Sequence, residues 1–333
     1  MSRHAPAPAV PPGAPTGFGN AACRRLTTDS AGTGDPALHK ATVWHLYVTS
    51  LQQIRDKIPR PPTAKRSTLL SRLLARSSAT TAERPLLEGR PPRLPDGVRV
   101  YAIGDIHGRH DLLERIELAV VEDLSRSSRL VRPVLVYLGD YVDRGIAGRQ
   151  VLEHLARNEI LEGIPRVLLR GNHDLWFREF LRGEPIGESW LQYGGEATLL
   201  SYGVPLDPKL SLGQRLGRAA EILAERVPAT HLALLDGLEV AFALGDYFFC
   251  HAGIRPGIPL ARQSENDLLW IREPFLSWSG DHEKIVVHGH TIAEQPQLRR
   301  NRIGIDTGAY STGVLTCLVL EGTDIRFLRT VPD

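Results

Sequence analysis

At 333 residues and 42% hydrophobic side chains, the chain is long enough for one large domain or two ordinary ones with a sizeable core. A formal net charge of +2 excludes nucleic-acid binding through bulk charge, and no apolar run reaches the roughly 18 residues of a transmembrane helix. Three cysteines (23, 250 and 317) without a CxxC pair exclude a disulfide framework and a thiolate zinc site, and point to a reducing, cytoplasmic setting.

Residues 1–40 are rich in Ala, Pro, Gly and Thr without periodicity, and they lack the charged-then-apolar pattern of a secretory signal. They read as disordered. Val43 to Ile58 has the pattern of an amphipathic helix, with Trp44, Leu46, Tyr47, Leu51 and Ile54 near one face, and Arg60-Pro61-Pro62 stops it. Ser67 to Ala75 is a second helical candidate, with Leu69, Leu70, Leu73 and Leu74 set against Arg66, Arg72 and Arg76. Basic amphipathic segments of this kind sometimes lie on a membrane surface. Packing on the chain's own globular domain, or a partly ordered tail, is the plainer expectation. Pro91, Pro92 and Pro95 read as a stiff linker. The expected organisation is an arm over 1–95 and a globular domain over 96–333.

In the domain, Val98–Ile103 reads as a strand and Asp111–Ser125 as a helix with Leu112, Leu113, Ile116 and Val120 inward. Val134–Leu138 is the next strand, Ala147–Asn158 the next helix, and Arg166–Leu169 a third strand. His173–Leu181, Trp190–Tyr202 and Leu212–Val227 look helical, with Pro228 ending the last. Strands then dominate: Val240–Ala243, Tyr247–Cys250, Ile285–Val287, Arg302–Ile305, Leu315–Leu320 and Ile325–Arg329. A helix-rich first half and a strand-rich second half predict an α/β fold of two facing sheets with helices outside.

Three of the early strands end in the same way. Gly104-Asp105-Ile106-His107-Gly108, Gly139-Asp140-Tyr141-Val142-Asp143-Arg144-Gly145 and Arg170-Gly171-Asn172-His173-Asp174 each follow a short β-rich run with a glycine and a metal-capable side chain. Asp105 and Asp140 are 35 residues apart, and Asp140 and Asn172 are 32 apart, about one strand–helix–strand unit. Parallel strands would gather these motifs at their carboxyl ends, where open α/β sheets carry their ligands. His251 and His290 close two later apolar runs in the same manner. An Asp after a strand is often only a turn residue, and a lone His beside an apolar run is usually structural. Five such clusters in order are not explained that way.

Asp105, His107, Asp140, Asn172, His251 and His290 together offer carboxylate, imidazole and amide donors, a mixture that suits manganese, iron or zinc better than calcium or copper. Two divalent ions against two carboxylates leave net positive charge for a phosphate dianion, and such a pair would ionise a bridging water near neutral pH.

The three signatures resemble those of the phosphoprotein phosphatase family, within the calcineurin-like metallophosphoesterases. His251-Ala252-Gly253 and His288-Gly289-His290-Thr291 resemble its two later histidine motifs, so the match covers roughly residues 97–320. The resemblance implies the calcineurin-like fold, two facing mixed β-sheets flanked by helices, with the active site at the strand C-terminal ends. It implies two divalent cations, manganese foremost with iron or zinc as alternatives. Asp105, His107 and a bridging Asp140 would hold one of them. Asp140, Asn172, His251 and His290 would hold the other. It gives His173 the role of general acid, oriented by Asp143, and gives Arg144, Arg272 and Asn172 to the phosphoryl oxygens. Ile292 stands where many relatives outside the phosphoprotein phosphatases carry a second histidine ligand. His288 is left structural, and Asp174 and Asp306 supporting. The implied activity is hydrolysis of phosphoserine or phosphothreonine in proteins, with phosphotyrosine a further candidate, by in-line attack of an activated water. A symmetrical diadenosine tetraphosphatase is the near alternative, against which Asp143 counts. A non-catalytic interaction protein on the same fold is the distant one, against which the filled ligand positions count. Of the aromatics between Asn172 and His251, Trp176, Phe177, Trp190 and Tyr193 are expected in the core more than at a substrate.

Overall fold

The computed structural model describes residues 74–75, 84–127 and 131–331. The disordered stretch expected over 1–40 and the helix expected over 43–58 lie outside the described residues. Of the second helical candidate only Leu74–Ala75 is described, and it is not helical. It forms a two-residue strand, β1, pairing antiparallel with Thr330 and Arg329.

Ten further strands follow among the described residues, and all six strands read from the second half of the sequence are present. The first sheet has six strands in the order β1-β11-β10-β2-β3-β4, with β2 Val98–Ile103, β3 Arg132–Tyr137, β4 Arg166–Leu168, β10 Thr316–Glu321 and β11 Asp324–Thr330. The second has five in the order β5-β6-β7-β9-β8, with β5 Ala241–Leu244, β6 Tyr247–Cys250, β7 Ile285–His288, β8 Gln297–Leu298 and β9 Arg302–Gly304. The strands β2, β3 and β4 run parallel, as do β6, β7 and β9.

Side-chain alternation along these strands sets the layers. Val98, Val100 and Ala102 of β2 join Val134, Val136, Phe249, Val287 and Ile303 in a buried cluster contributed by both sheets. The intervening Tyr101 and Ile103 join Leu135, Tyr137, Leu113, Ile116 and Val120 in a second cluster under the helices. Phe248, Cys250 and Val286, on the other face of the second sheet, pack with Leu268 and Phe275. Both sheets are therefore covered on both faces, as parallel strands require.

Helix α1 (His110–Ser125) follows β2, α2 (Gly148–Arg157) follows β3, and α3 (Asn172–Leu181) follows β4 after three residues. The long helix expected over Trp190–Tyr202 is broken. A turn of α-helix at Gly187–Trp190 runs into a kink within Leu191–Gly195 before α-helix resumes at Glu196–Ser201. Gly194, at φ 107°, is the residue that leaves the helical conformation. Pro228 follows a helix over Leu212–Arg226 and also caps the next, Ala229–Asp236, which lacked a readable apolar period. The Pro-rich stretch before β2 is packed against the domain: Leu94 is fully buried, and Arg90 pairs with Asp246 at 2.6 Å. No helix among the described residues is long and apolar enough to cross a membrane.

Candidate active site

Five of the parallel strands stop one to four residues before a polar side chain, and these stops share one edge of the two sheets. Asp105 follows β2, Asp140 follows β3, Asn172 follows β4, His251 follows β6 and His290 follows β7. Hydrogen bonds fasten the turns to one another. The amides of Ile106 and His107 donate to the carbonyl of Asp140, and Gly289 N donates to the carbonyl of His251. Two contacts join the sheets: His251 Nδ1 to the carbonyl of Leu138 at 2.9 Å, and His290 N to Asp105 Oδ2 at 2.9 Å.

Asp140 is the hub. Its Oδ2 is 3.3 Å from His107 Nε2 and 3.4 Å from His251 Nε2, and its Oδ1 accepts from His173 N at 3.1 Å. Among the described residues it belongs to two groups whose ligand atoms all lie within 4.8 Å of one another, His107–Asp140–His173 and Asp140–His251–His290. Asn172 Oδ1 lies 2.9 Å from His251 Nε2, on the second group. Asp105 is in neither group, but its carboxylate reaches the cluster through His290 N, and its Oδ1 is buried with no hydrogen-bond partner.

Close glycines leave room for these carboxylates. A Cβ at Gly171 would lie 2.0 Å from Asp140 Oδ1, and one at Gly289 would lie 1.9 Å from Asp105 Oδ1.

Burial and neighbouring charge shift the titration of Asp105, His107, Asp140, His251 and His290. Burial, with Asp306 and Asp140 nearby, pushes Asp105 well above the usual carboxylate range. Asp140 resists the same burial because His251, His173 and His107 surround it, and it is held well below that range. Burial opposes charge on His251 too, but the Asp140 and Asp105 carboxylates win and raise it to about 10. Burial prevails at His107, lowered to about 3, and at His290, lowered well below the ordinary value. The orphaned Asp105 oxygen, the glycine cradles and the mixed oxygen and nitrogen donors all fit divalent cations.

Beside this cluster stands a second arrangement. His173 Nδ1 lies 2.7 Å from Asp143 Oδ2, and both side chains are buried. Asp143 is fixed by two further donors, Trp190 Nε1 at 2.8 Å and Thr198 Oγ1 at 2.6 Å. With Nδ1–H given to Asp143, His173 Nε2 is the acceptor for Arg144 Nη2 at 3.3 Å. The Arg144 guanidinium also lies over the Tyr310 ring, 4.9 Å from its centroid. Arg272 is at the rim, donating to Thr291 Oγ1 at 2.9 Å and within electrostatic reach of Arg144, Asp105 and Asp140.

Asp174 holds the floor, accepting from the amides of Asp140, Tyr141 and Gly171 at 2.8–2.9 Å. His288 is buried edge-on to Phe275, and Asp306 accepts from Gly308 N at 2.9 Å. Trp190, Thr198 and Tyr310 were not singled out for these roles. Trp190 and Thr198 reach Asp143 across 47 and 55 residues, and no local pattern encodes that. Of the four insertion aromatics, Phe177 and Trp190 are fully buried, whereas Trp176 is only half-buried and Tyr193 is exposed.

The family model of the calcineurin-like phosphoesterases matches residues 98–309. A bis(5′-nucleosyl)-tetraphosphatase (asymmetrical) of Bacillus mycoides is 25% identical over 234 residues, 65% of this chain and 88% of that protein. A cold-active protein-tyrosine phosphatase of a psychrophilic Shewanella species is structurally similar at TM-score 0.45 and 17% identity, covering 81% of this chain and 86% of that one. A protein serine/threonine phosphatase of Saccharomyces cerevisiae is similar at TM-score 0.46 and 12% identity, covering 71% and 81%. The chain belongs to the calcineurin-like phosphoesterase family, and its activity is hydrolysis of phosphoesters with divalent metals.

Proposed function

We propose that this calcineurin-like phosphoesterase is a phosphomonoesterase acting on the phosphorylated hydroxyl side chains of cytoplasmic proteins. The observation that carries this reading is the buried Asp143–His173 pair, 2.7 Å apart, placed beside the metal-capable cluster. A serine or threonine alkoxide is a far stronger base than a nucleoside phosphate. It leaves readily only if a proton meets it, and a positioned imidazole supplies that proton. Anhydride hydrolysis has much less need of such a donor.

Asp105, His107 and Asp140 would hold one cation, and Asp140, Asn172, His251 and His290 the other. Bound there, manganese, iron or zinc would supply Lewis-acid stabilisation and an acidified water. The protein's own groups do the rest. Arg144 and Arg272 present forked donors to the phosphoryl oxygens, joined by the Asn172 side-chain amide. An anionic phosphoryl group that draws Arg144 away from His173 Nε2 frees that nitrogen to carry the proton. Asp143, tied to Trp190 and Thr198, keeps the ring aimed while the proton leaves.

A second reading, hydrolysis of dinucleoside tetraphosphates, is favoured by the name of the Bacillus mycoides relative. Side-by-side assay of a phosphoseryl peptide and diadenosine tetraphosphate with manganese decides between them. A higher kcat/KM on the peptide supports the phosphomonoesterase, and a higher value on the dinucleotide overturns it.

A further inference from the structure

The geometry points to an aromatic ledge on the leaving-group side of the site: Trp176, Tyr193 and Trp270 receive the phenyl ring of a phosphotyrosyl side chain. The inference rests on the reading of His173 as the proton donor.

Trp176 lies three residues after His173 on helix α3, and the two rings are 5.9 Å apart. Its ring centroid lies 4.7 Å from that of Trp270 and 5.3 Å from that of Tyr193. Trp176 and Trp270 are half-buried, and Tyr193 is 39% exposed. Large aromatic surface left open beside reacting groups is the kind of patch that binds something. Tyr193 directly precedes the kink at Gly194, where the chain leaves the helical conformation. The carbonyl of Gly194 accepts from Arg144 N at 3.1 Å. The ledge is therefore tied both to the helix bearing the proton donor and to the backbone of the phosphate-clamping arginine.

Position decides what the ledge holds. A proton donor must stand next to the oxygen that leaves phosphorus, so the organic body attached to that oxygen lies on the His173 side. In phosphotyrosine that body is a phenyl ring bonded directly to the leaving oxygen, within reach of a ledge one ring contact away. In phosphoserine it is a methylene group, with no ring to pack. In hydrolysis the bond from phosphorus to the tyrosyl oxygen breaks and a bond to a water oxygen forms. His173 returns a proton to the phenolate, giving tyrosine and inorganic phosphate.

The test compares two peptides of identical flanking sequence without other aromatics, one phosphotyrosyl and one phosphoseryl, on the full-length, manganese-loaded enzyme. The wild type is expected to show the higher kcat/KM on phosphotyrosine. Tyr193→Ala, at an exposed position, and Trp176→Ala should each lower the phosphotyrosine-to-phosphoserine ratio of kcat/KM about tenfold, chiefly through KM for the aryl substrate. An unchanged ratio in both variants overturns the ledge. So does a larger loss on diadenosine tetraphosphate than on the phosphotyrosyl peptide, which would make the ledge a base-stacking surface. His173→Asn separates the two levels: full activity in that variant sinks the proton-donor assignment itself. Loss there with an unchanged ratio in the ledge variants sinks only the ledge.

Discussion

The carboxylate of Asp143 lies 2.7 Å from Nδ1 of His173, with both groups closed off from solvent. A pair so placed matters in proportion to the basicity of the leaving group. Asp143→Asn should lower kcat on a phosphoseryl peptide by about 10²–10⁴-fold, the usual worth of a positioned acid. The loss on para-nitrophenyl phosphate, whose leaving group is much less basic, should be clearly smaller. Equal losses on the two substrates would mean that Asp143 serves the fold and not proton delivery.

Asp105 tests the cation site. Metal titrated into chelator-treated protein should raise the melting temperature, with about 2.7 kcal/mol gained at 100-fold excess over Kd. Asp105→Asn should suppress most of that gain. It should also stabilise the chelated protein by on the order of 1 kcal/mol, because it neutralises a buried group whose Oδ1 has no partner. A variant that keeps the full metal-dependent rise would remove Asp105 from the ligand set.

Gly289→Ala approaches the same point by steric means. The added methyl would lie 1.9 Å from Asp105 Oδ1, so the carboxylate must give way. Metal analysis after gel filtration should show fewer bound ions per chain than in wild type, with the helical circular dichroism unchanged. Retention of the wild-type stoichiometry would show that Asp105 can move without consequence.

A buried ion network far from the site sets part of the acid stability. Asp123 accepts from Tyr101 Oη at 2.7 Å, pairs with Arg99 at 3.2 Å and is bonded by Arg326. Burial raises its pKa, but the Arg326 and Tyr101 hydrogen bonds and the two guanidinium charges outweigh it, leaving the group below its ordinary 3.8. A depressed folded pKa contributes stability above the unfolded value, and that contribution fades as pH falls through the folded one. Asp123→Asn should therefore destabilise at pH 7 by about 1–3 kcal/mol, since it takes a charged partner from Arg99 and Arg326 while Arg99 keeps Glu321. The gap to wild type should close in urea titrations below about pH 4. A gap independent of pH would point to packing in place of charge.

Much of this site could be read without coordinates because its ligands sit at strand ends, where an apolar run stopping at a glycine and a polar residue leaves a local signature. The pairing of β2, β3 and β4 followed from the same runs. What stayed hidden is held by long-range contact. Trp190 was expected as core and is buried, but its indole nitrogen also holds Asp143, which no spacing rule encodes. The break at Gly194 was hidden because the apolar pattern runs through it, although the Gly194-Gly195 pair was a visible warning. Helix Ala229–Asp236 was missed because an octet apolar on most sides has no period to detect.

His107, Asp140, Asp143, Arg144 and His290 all adopt left-handed backbone, with φ between 45° and 68°. Glycine is the residue most at ease in that region, and other residues there cost roughly 1 kcal/mol, least for Asp, Asn and His. Selection for thermal endurance alone would drift these positions toward glycine, toughening the scaffold while dismantling its chemistry. Engineers ranking substitutions by melting temperature should meet a family of robust, inert proteins, with the inactivating changes clustered at these five positions in three turns.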